Sequence, residues 1–277
     1  MKRKRKSGRA RAGARRAFCV GINDYPFGTD DDLNGCVNDA TAWAATLKAT
    51  FGFPKEDIKV VTDAGATKRR VISGLKDLFA GAKSGDVLVF TNSSHGSYLT
   101  EKGGDEQEYD EILCPYDIKD NAIVDDEIRE LIAGMPKGVR LTVVLDNCFS
   151  GTATRAAPGI RTPDNRRRRF LNPKKFGGRV LNDPVSARPR AAFKYPESQM
   201  SEIVLTGCTD KEYSYDANIN GVYHGAMSYY ALQVIQEARG KLTYQQLHDR
   251  LRRRITRYPQ HPQLEGSAAS KRSRLFT

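Results

Sequence analysis

Short apolar runs alternate along the chain with stretches in which apolar residues recur at every third or fourth position. The apolar runs lie at 17–22, 58–62, 87–90, 112–114, 141–145 and 203–206, and the helical spacing is found at 35–50, 71–79, 125–133, 226–239 and 244–257. Unbroken apolar runs are typical of strands buried on both faces. Because predicted helices separate these runs, the pattern predicts an α/β fold with a mostly parallel sheet covered by helices on both sides.

Two polar segments flanked by glycine follow apolar runs. Ser93-Ser94-His95-Gly96 comes after the run at 87–90, and the segment from Asp146 to Gly151, which contains Cys148, comes after the run at 141–145. Open α/β sheets place their chemistry in loops at the carboxyl ends of strands. Two neighbouring strands would therefore bring the imidazole of His95 to the thiol of Cys148, which is the minimum for nucleophilic catalysis by cysteine.

Composition restricts the setting in which this chemistry would operate. The 277-residue chain is long enough for one large domain. None of its apolar stretches approaches the ~20 residues of a membrane-spanning helix, and no apolar secretory segment follows the basic amino terminus. The five cysteines are odd in number and scattered, which is typical of reduced thiols. We therefore expect a cytoplasmic protein that does not enter a membrane.

Positive charge is concentrated in two segments. Residues 1–16 carry nine Lys or Arg and no acid, and residues 155–200 carry twelve Lys or Arg against three acids, so the rest of the chain has a net charge of −6 although the whole chain has +12. The stretch at about 152–200 also lacks periodicity. We predict a basic disordered tail at 1–16 and a domain at 17–277 that contains a basic, exposed and flexible insertion at about 152–200.

Six short motifs occur in order outside that insertion. They are Val20-Gly21-Ile22-Asn23, Gly35-Cys36-Val37-Asn38-Asp39-Ala40, Gly85-Asp86-Val87, Ser94-His95-Gly96, Ile123-Val124-Asp125-Asp126 and Asp146-Asn147-Cys148-Phe149-Ser150-Gly151. With these motifs, residues 17–266 outside the insertion resemble the caspase-like cysteine peptidases, and among them the metacaspases and their bacterial relatives, the orthocaspases. The resemblance implies a caspase-like three-layer α/β/α sandwich with a mostly parallel central sheet.

The resemblance also implies a role for each matching position. Cys148 matches the nucleophile and His95 its proton-transfer partner, while the backbone N–H groups of Gly96 and Cys148 would stabilise the oxyanion. The implied substrate-binding positions are Cys36, Asp39, Ser93 and Asp146. No cofactor is required for this chemistry.

The charges in the implied pocket suggest its specificity. Metacaspase-like enzymes accept Arg or Lys before the cleaved bond, and two carboxylates, Asp39 and Asp146, would pair with such a cation. The net negative charge of the chain outside the two basic segments would also attract basic protein or peptide substrates. A structural alternative stays open, in which Asp39 caps its own helix or forms a salt bridge within it and Asp146 only orients its loop.

The basic insertion offers cleavage sites to an enzyme with this specificity. We predict self-processing between residues 155 and 194; the alternatives are a loop that is never cut or one that occupies the acidic pocket as an inhibitor. The candidate cleavage positions are Arg155, Arg161, Arg166, Arg167, Arg168, Arg169, Arg179, Arg188 and Arg190.

Calcium is a further expectation from the resemblance, because many metacaspases are activated by it. Asp110, Asp125 and Asp126 match three of the carboxylate positions, and Ca²⁺ requires several hard oxygen ligands. A further carboxylate expected after the nucleophile is absent, and Arg155 lies in that region. Relatives often have His where this chain has Phe149, but that position is not the catalytic base.

Two other classes of function compete with an Arg- or Lys-specific cysteine endopeptidase. The first is a catalytically silent binding module that keeps the fold. The second is a charge-driven nucleic-acid-binding protein, for which we expect at most non-specific contacts because no aromatic residue interleaves the charges of the tail. Metacaspase-like relatives tend to act as monomers, and we expect the same here.

Overall fold

The computed structural model describes residues 13–100, 108–149, 166–179, 188–189 and 200–277. The strands are β1 Arg15–Gly21, β2 Ile58–Thr62, β3 Val87–Ser93, β4 Gly96–Leu99, β5 Glu108–Leu113, β6 Ile123–Val124, β7 Arg140–Asp146, β8 Arg167–Arg168, β9 Arg188–Pro189, β10 Ile203–Thr206, β11 Tyr215–Ile219, β12 Val222–Gly225 and β13 Gln263–Glu265. The helices are α1 Cys36–Phe51, α2 Lys68–Phe79, α3 Asp125–Ala133, α4 Ala226–Glu237, α5 Tyr244–Arg254 and α6 Ala268–Arg272.

The central sheet has six strands in the order β13-β10-β7-β3-β1-β2. Neighbouring strands are parallel except for β13, which runs antiparallel to β10 at one edge. Successive residues of each strand face opposite layers, as the alternation of strand side chains requires. Ala17 and Cys19 of β1 pack with α1, α4 and α5, whereas Phe18 and Val20 pack with α2 and α3. The protein is therefore a three-layer α/β/α sandwich with a mostly parallel sheet, as predicted.

Two smaller sheets lie beside the carboxyl ends of the central strands. One contains β4, β5 and β6, and the other contains β12, β11 and β8. The turn between β11 and β12 is Asn220-Gly221, and both residues have positive φ (56° and 88°), which is the geometry that Asn-Gly favours in a two-residue hairpin.

Part of the basic insertion is buried. The side chain of Arg169 is fully buried, Leu171 is 1% exposed, and β8 pairs with β11. The expectation of an exposed insertion is therefore wrong for this part, because buried carboxylates of the domain compensate the charge of Arg169. The predicted tail lies mostly outside the described residues, which begin at residue 13. No helix in the described part of the chain is long and apolar enough to cross a membrane.

Candidate active site

The loops that carry His95 and Cys148 are held side by side at the end of the central sheet. Ser93 and Asp146, the last residues of β3 and β7, are paired in the strand register. A Cβ added to Gly96 would come within 2.3 Å of the Cys148 carbonyl oxygen, so a side chain at position 96 does not fit without a shift of the backbone. The side chain of Asn147 joins the two loops, since its amide donates to the Ser94 carbonyl (2.9 Å) and hydroxyl (2.7 Å).

The imidazole of His95 is oriented by a backbone carbonyl. Its Nε2 lies 2.7 Å from the carbonyl oxygen of Asp31, whereas its buried Nδ1 has no hydrogen-bond partner. An N–H at Nε2 that donates to this carbonyl leaves the lone pair of Nδ1 available as a base. Burial lowers the pKa of His95 below its ordinary value, which favours the neutral form that a base requires.

The thiol of Cys148 is fully buried and donates to the carbonyl oxygen of Glu212 at 2.9 Å. The thiol of Cys208 lies 3.4 Å from the same oxygen. The pKa of Cys208 is raised well above its ordinary value, chiefly by its hydrogen bond with Cys148 and also by burial. The two thiols therefore share one acceptor, and a nucleophilic Cys148 would have to give up that hydrogen bond to pass its proton to His95.

Three carboxylates surround the guanidinium of Arg169. Its Nη2 lies 2.7 Å from Asp39 and 3.0 Å from Asp216, and its Nη1 lies 3.4 Å from the carboxylate of Asp146 and 3.0 Å from the carbonyl oxygen of that residue. All four side chains are fully buried. Burial acts to lower the pKa of the Arg169 guanidinium, but Cys36 and the three carboxylates raise it well above its ordinary value. The arginine is thus held as a cation in a closed acidic pocket.

Backbone N–H groups also hold the three carboxylates of the pocket in place, in addition to their contacts with Arg169. Asp216 accepts from the backbone N–H groups of Asn34 and Gly35, both at 2.9 Å. Asp146 accepts from the backbone N–H of Ser228 at 2.9 Å, and Asp39 accepts from that of Gly225, also at 2.9 Å.

The carbonyl oxygen of Arg169 lies between the two backbone donors predicted for the oxyanion. It accepts from the N–H of Gly96 at 2.9 Å and from the N–H of Cys148 at 3.2 Å. Donors that converge on one carbonyl oxygen are the arrangement that stabilises a tetrahedral intermediate of acyl transfer. The arginine therefore presents its side chain to the acidic pocket and its carbonyl group to the oxyanion donors at the same time.

The two remaining pocket positions are buried, whereas the candidate cleavage positions differ in their surroundings. Cys36 begins α1, and Cys36 and Ser93 are both buried beside the pocket residues. Of the candidate cleavage positions, Arg166–Arg169 enter the site, Arg179 is exposed, Arg188 is described only in its backbone, and Arg155, Arg161 and Arg190 lie outside the described residues.

The expected calcium positions do not complete a ligand set. Within the part of the chain that the structure describes, no group of three or more His, Cys, Asp or Glu side chains is arranged to hold a metal ion. Both carboxylate oxygens of Asp125 are buried without a hydrogen-bond partner, and burial raises the pKa of Asp125 to about 6. Arg129 lies 3.9 Å from this carboxylate. Calcium activation therefore stays a prediction.

Sequence reasoning missed several residues of the site. Asp216, the third carboxylate, and His224, whose Nδ1 lies 3.0 Å from Asp39, both sit on the β11–β12 hairpin. The Asn220-Gly221 dipeptide signals that hairpin and could have found it. Asn147 lies in the motif that contains Cys148, but the motif does not indicate that its side chain joins the two loops. The sequence likewise gives no sign that the Cys208 thiol shares an acceptor with Cys148.

Comparison with known proteins identifies the family. Residues 15–156 match the family model "Metacaspase, peptidase C14 domain". The chain is 28% identical to Metacaspase-1 of Schizosaccharomyces pombe, over 92% of this chain and 68% of the relative, and 31% identical to Metacaspase-1A of Aspergillus fumigatus, over 92% of this chain and 69% of the relative. The solved structure of protein GSU0716 from Geobacter sulfurreducens shares the fold, with a TM-score of 0.71, 24% identity and coverage of 95% of this chain and 98% of that one. The chain therefore belongs to the metacaspase family of cysteine peptidases.

Proposed function

We propose that the protein is a cysteine endopeptidase that cleaves after Arg or Lys through Cys148 and His95, and that it processes itself at the Arg169–Phe170 bond. The observation that carries this proposal is Arg169, whose guanidinium fills the acidic pocket while its carbonyl oxygen accepts from Gly96 and Cys148. The segment around Arg169 thus lies as a substrate would.

The contacts of the pocket favour arginine over lysine. The guanidinium presents Nη2 to Asp39 and Asp216 and Nη1 to Asp146, so it uses separate nitrogens for separate acceptors. A lysine ammonium is a single point of charge and cannot occupy both positions. We expect lysine to be accepted with lower kcat/KM.

The chemistry follows from the positions of the donors. The Cys148 thiol passes its proton to Nδ1 of His95, and the thiolate attacks the carbonyl carbon of Arg169. The N–H groups of Gly96 and Cys148 hold the resulting oxyanion. When the C–N bond to Phe170 breaks, the protonated His95 gives the proton to the leaving nitrogen. Water, deprotonated by His95, then hydrolyses the thioester and regenerates the thiol.

Intact mass spectrometry of the purified full chain over time tests the proposal. The wild type should give one fragment that ends at Arg169 and one that begins at Phe170. Cys148→Ala and Arg169→Ala should both stay intact at this bond. Arg179→Ala is the matched control, because Arg179 is an exposed arginine of the same insertion outside the pocket, and it should be cut like the wild type.

The result also separates the competing functions. A wild-type chain that stays intact but hydrolyses an added Arg peptide once Arg169 is replaced would make the segment an inhibitor rather than a substrate. A folded chain that cleaves neither itself nor any Arg peptide would be a binding module. The same assays with added calcium and with a chelator test the calcium prediction.

We also propose that the protein acts as a monomer. In support of this, Asp39, Asp146 and Asp216 of one chain enclose the Arg169 guanidinium. Light scattering of the active protein at assay concentration tests this, and a dimer as the active form would contradict it.

A further inference from the structure

Four consecutive arginines, Arg166–Arg169, precede the bond that we propose is cleaved. The two residues directly before Arg169 are fixed by strand pairing. Arg168 pairs with Tyr215 and Arg167 with Asp216, so that β8 extends the β11–β12 hairpin, and the Arg169 N–H donates to the Ser214 carbonyl at 2.9 Å. In an extended strand successive side chains point to opposite sides. Arg167 and Arg169 therefore face one set of partners, and Arg166 and Arg168 face another.

The second set is aromatic. The guanidinium of Arg168 lies 4.4 Å from the ring centre of Tyr213. That of Arg166 lies 5.0 Å from the ring centre of Tyr215 and 5.8 Å from that of Tyr258. These distances are within the ~6 Å at which an aromatic face attracts a cation. Burial raises the pKa of Tyr213 to about 12, so its phenol is neutral at physiological pH.

Arg167 is bound by backbone carbonyl groups. Its Nη1 donates to the carbonyl oxygen of Thr29 at 3.0 Å and also to that of Asp32. The loop that provides them also contains Asp31, whose carbonyl oxygen orients His95. A cation at this position therefore holds the loop that positions the catalytic base.

The residues after the bond also lie on complementary surfaces. The ring of Phe170 stacks on Tyr98 with centres 6.0 Å apart and meets the edge of Tyr213 at 5.9 Å. Leu171 is buried, its N–H donates to the Gly96 carbonyl at 3.0 Å, and its carbonyl oxygen accepts from the Ser97 hydroxyl at 2.7 Å.

From these contacts we propose that the site selects a particular substrate class: extended protein segments with arginine at the four positions before the cleaved bond, an aromatic residue directly after it and an apolar residue next. Each of the three positions upstream of Arg169 has its own subsite. Tyr213 forms it for the second residue before the bond, the Thr29 and Asp32 carbonyl groups for the third, and Tyr215 and Tyr258 for the fourth. This inference rests on the proposed function, because it describes how that active site reads its substrate.

The three upstream subsites are tested with a series of fluorogenic tetrapeptides, here called the peptide ladder, that all end in Arg and differ at one upstream position, and kcat/KM is measured for each peptide. The enzyme is the full chain with Arg166–Arg169 all replaced by alanine, so that no internal arginine competes. Alanine or citrulline is placed at one upstream position at a time, since citrulline keeps the shape of arginine without its charge. We expect kcat/KM to fall about 3- to 30-fold at the second and fourth positions. At the third position we expect a fall of about 10- to 100-fold, with much of it in kcat, because the loss of charged hydrogen bonds there also frees the loop that orients His95.

Tyr213→Leu provides the matched enzyme variant. It should abolish the preference for arginine over citrulline at the second position, while the preference at the third position is unchanged and serves as the internal control for folding. Equal kcat/KM across the ladder would overturn the inference and leave the proposed function intact, because every peptide still ends in Arg.

Absence of cleavage of every peptide by the folded enzyme, with the Arg179→Ala chain also inactive, would instead defeat the proposed function, and the subsites would then be tested by binding. Labelled peptides of the same ladder would be titrated into the full chain carrying Cys148→Ala and the four alanines. Tighter binding of the all-Arg peptide than of its citrulline versions would support the subsites. Equal binding would overturn them.

Discussion

Replacing Asp216 by asparagine tests the carboxylate that sequence reasoning missed. The Oδ1 of Asp216 accepts from the Arg169 guanidinium at 3.0 Å and from the Gly35 N–H at 2.9 Å, and its Oδ2 accepts from the Asn34 N–H at 2.9 Å. Asparagine keeps the shape and one acceptor oxygen, but its NH₂ group must face one of these donors. The substitution therefore removes charge and an acceptor from the pocket without opening a cavity.

The size of the effect follows from the bonds that are lost. A hydrogen bond to a charged group contributes about 1.5–3 kcal/mol, which corresponds to an increase of about 10- to 150-fold in the Kd of an Arg peptide. Stability should change far less, because neutralising one of three neighbouring carboxylates also removes repulsion between them, which offsets part of the lost hydrogen bonding. A lysine ammonium cannot use both guanidinium positions, so a Lys peptide loses less than an Arg peptide when one acceptor is removed. The ratio of the Kd of the Lys peptide to that of the Arg peptide should therefore fall as well.

The assay is the Kd of a labelled Arg peptide and of its Lys counterpart, measured on the full chain with Cys148→Ala and the four alanines, with and without Asp216→Asn. Asp77→Asn is the matched control, because Asp77 is an exposed carboxylate that pairs with Lys59 away from the site. A Kd for the Arg peptide within about threefold of the parent, in a variant that unfolds at the same temperature, would refute the reasoning, since that is far below one charged hydrogen bond.

Three further changes test the geometry around the nucleophile. Gly96→Ala should lower the unfolding free energy by about 1–3 kcal/mol and kcat on an Arg peptide by about 10²-fold, because it displaces the proposed oxyanion donor. Gly134→Ala is the control, since the nearest atom lies 3.5 Å from the added Cβ, and it should leave urea unfolding unchanged. An unchanged unfolding free energy in Gly96→Ala would contradict the close contact at that position. Asn147→Ala, which loses two hydrogen bonds between the catalytic loops, should lower the unfolding free energy by about 1–3 kcal/mol and reduce kcat more than it raises KM; an unchanged kcat would remove its positioning role. Since burial lowers the pKa of His95 and only the neutral imidazole accepts the thiol proton, kcat/KM should rise with pH through a midpoint below 6.5, and a midpoint above 6.5 would contradict a buried base.

The sequence predicts the sandwich and the meeting of His95 with Cys148 for a local reason. Buried strands appear as apolar runs, and the strands at 58–62 and 203–206 coincide with the predicted runs. Parallel strands end at the same edge of a sheet, and because β3 and β7 pair directly, the residues that follow them are neighbours.

The buried arginine could not be predicted in this way. A run of basic residues without periodicity is normally solvated, and Arg169 is buried only because Asp39, Asp146 and Asp216 come together from distant parts of the chain. That compensation is a tertiary property, and no pattern within residues 166–169 reveals it. The hairpin that carries Asp216 was detectable from Asn220-Gly221, but its pairing with β8 was not, because β8 has only two residues.

The loop that contains Asp31 contacts both His95 and the arginine segment. The Asp31 carbonyl group orients His95, the carbonyl groups of Thr29 and Asp32 bind Arg167, and the Asp31 carboxylate lies 2.7 Å from the Nζ of Lys175. Arg167 precedes the Arg169–Phe170 bond and Lys175 follows it, so cleavage of that bond separates the two anchors of the loop into different fragments. Withdrawal of the new carboxyl end at Arg169 from the site would remove the contacts of Arg167, although Arg167 and the loop stay in the same fragment. Under the proposed specificity, an incoming substrate with arginine at the third position would restore these contacts, so that the binding of a polybasic segment would also orient His95.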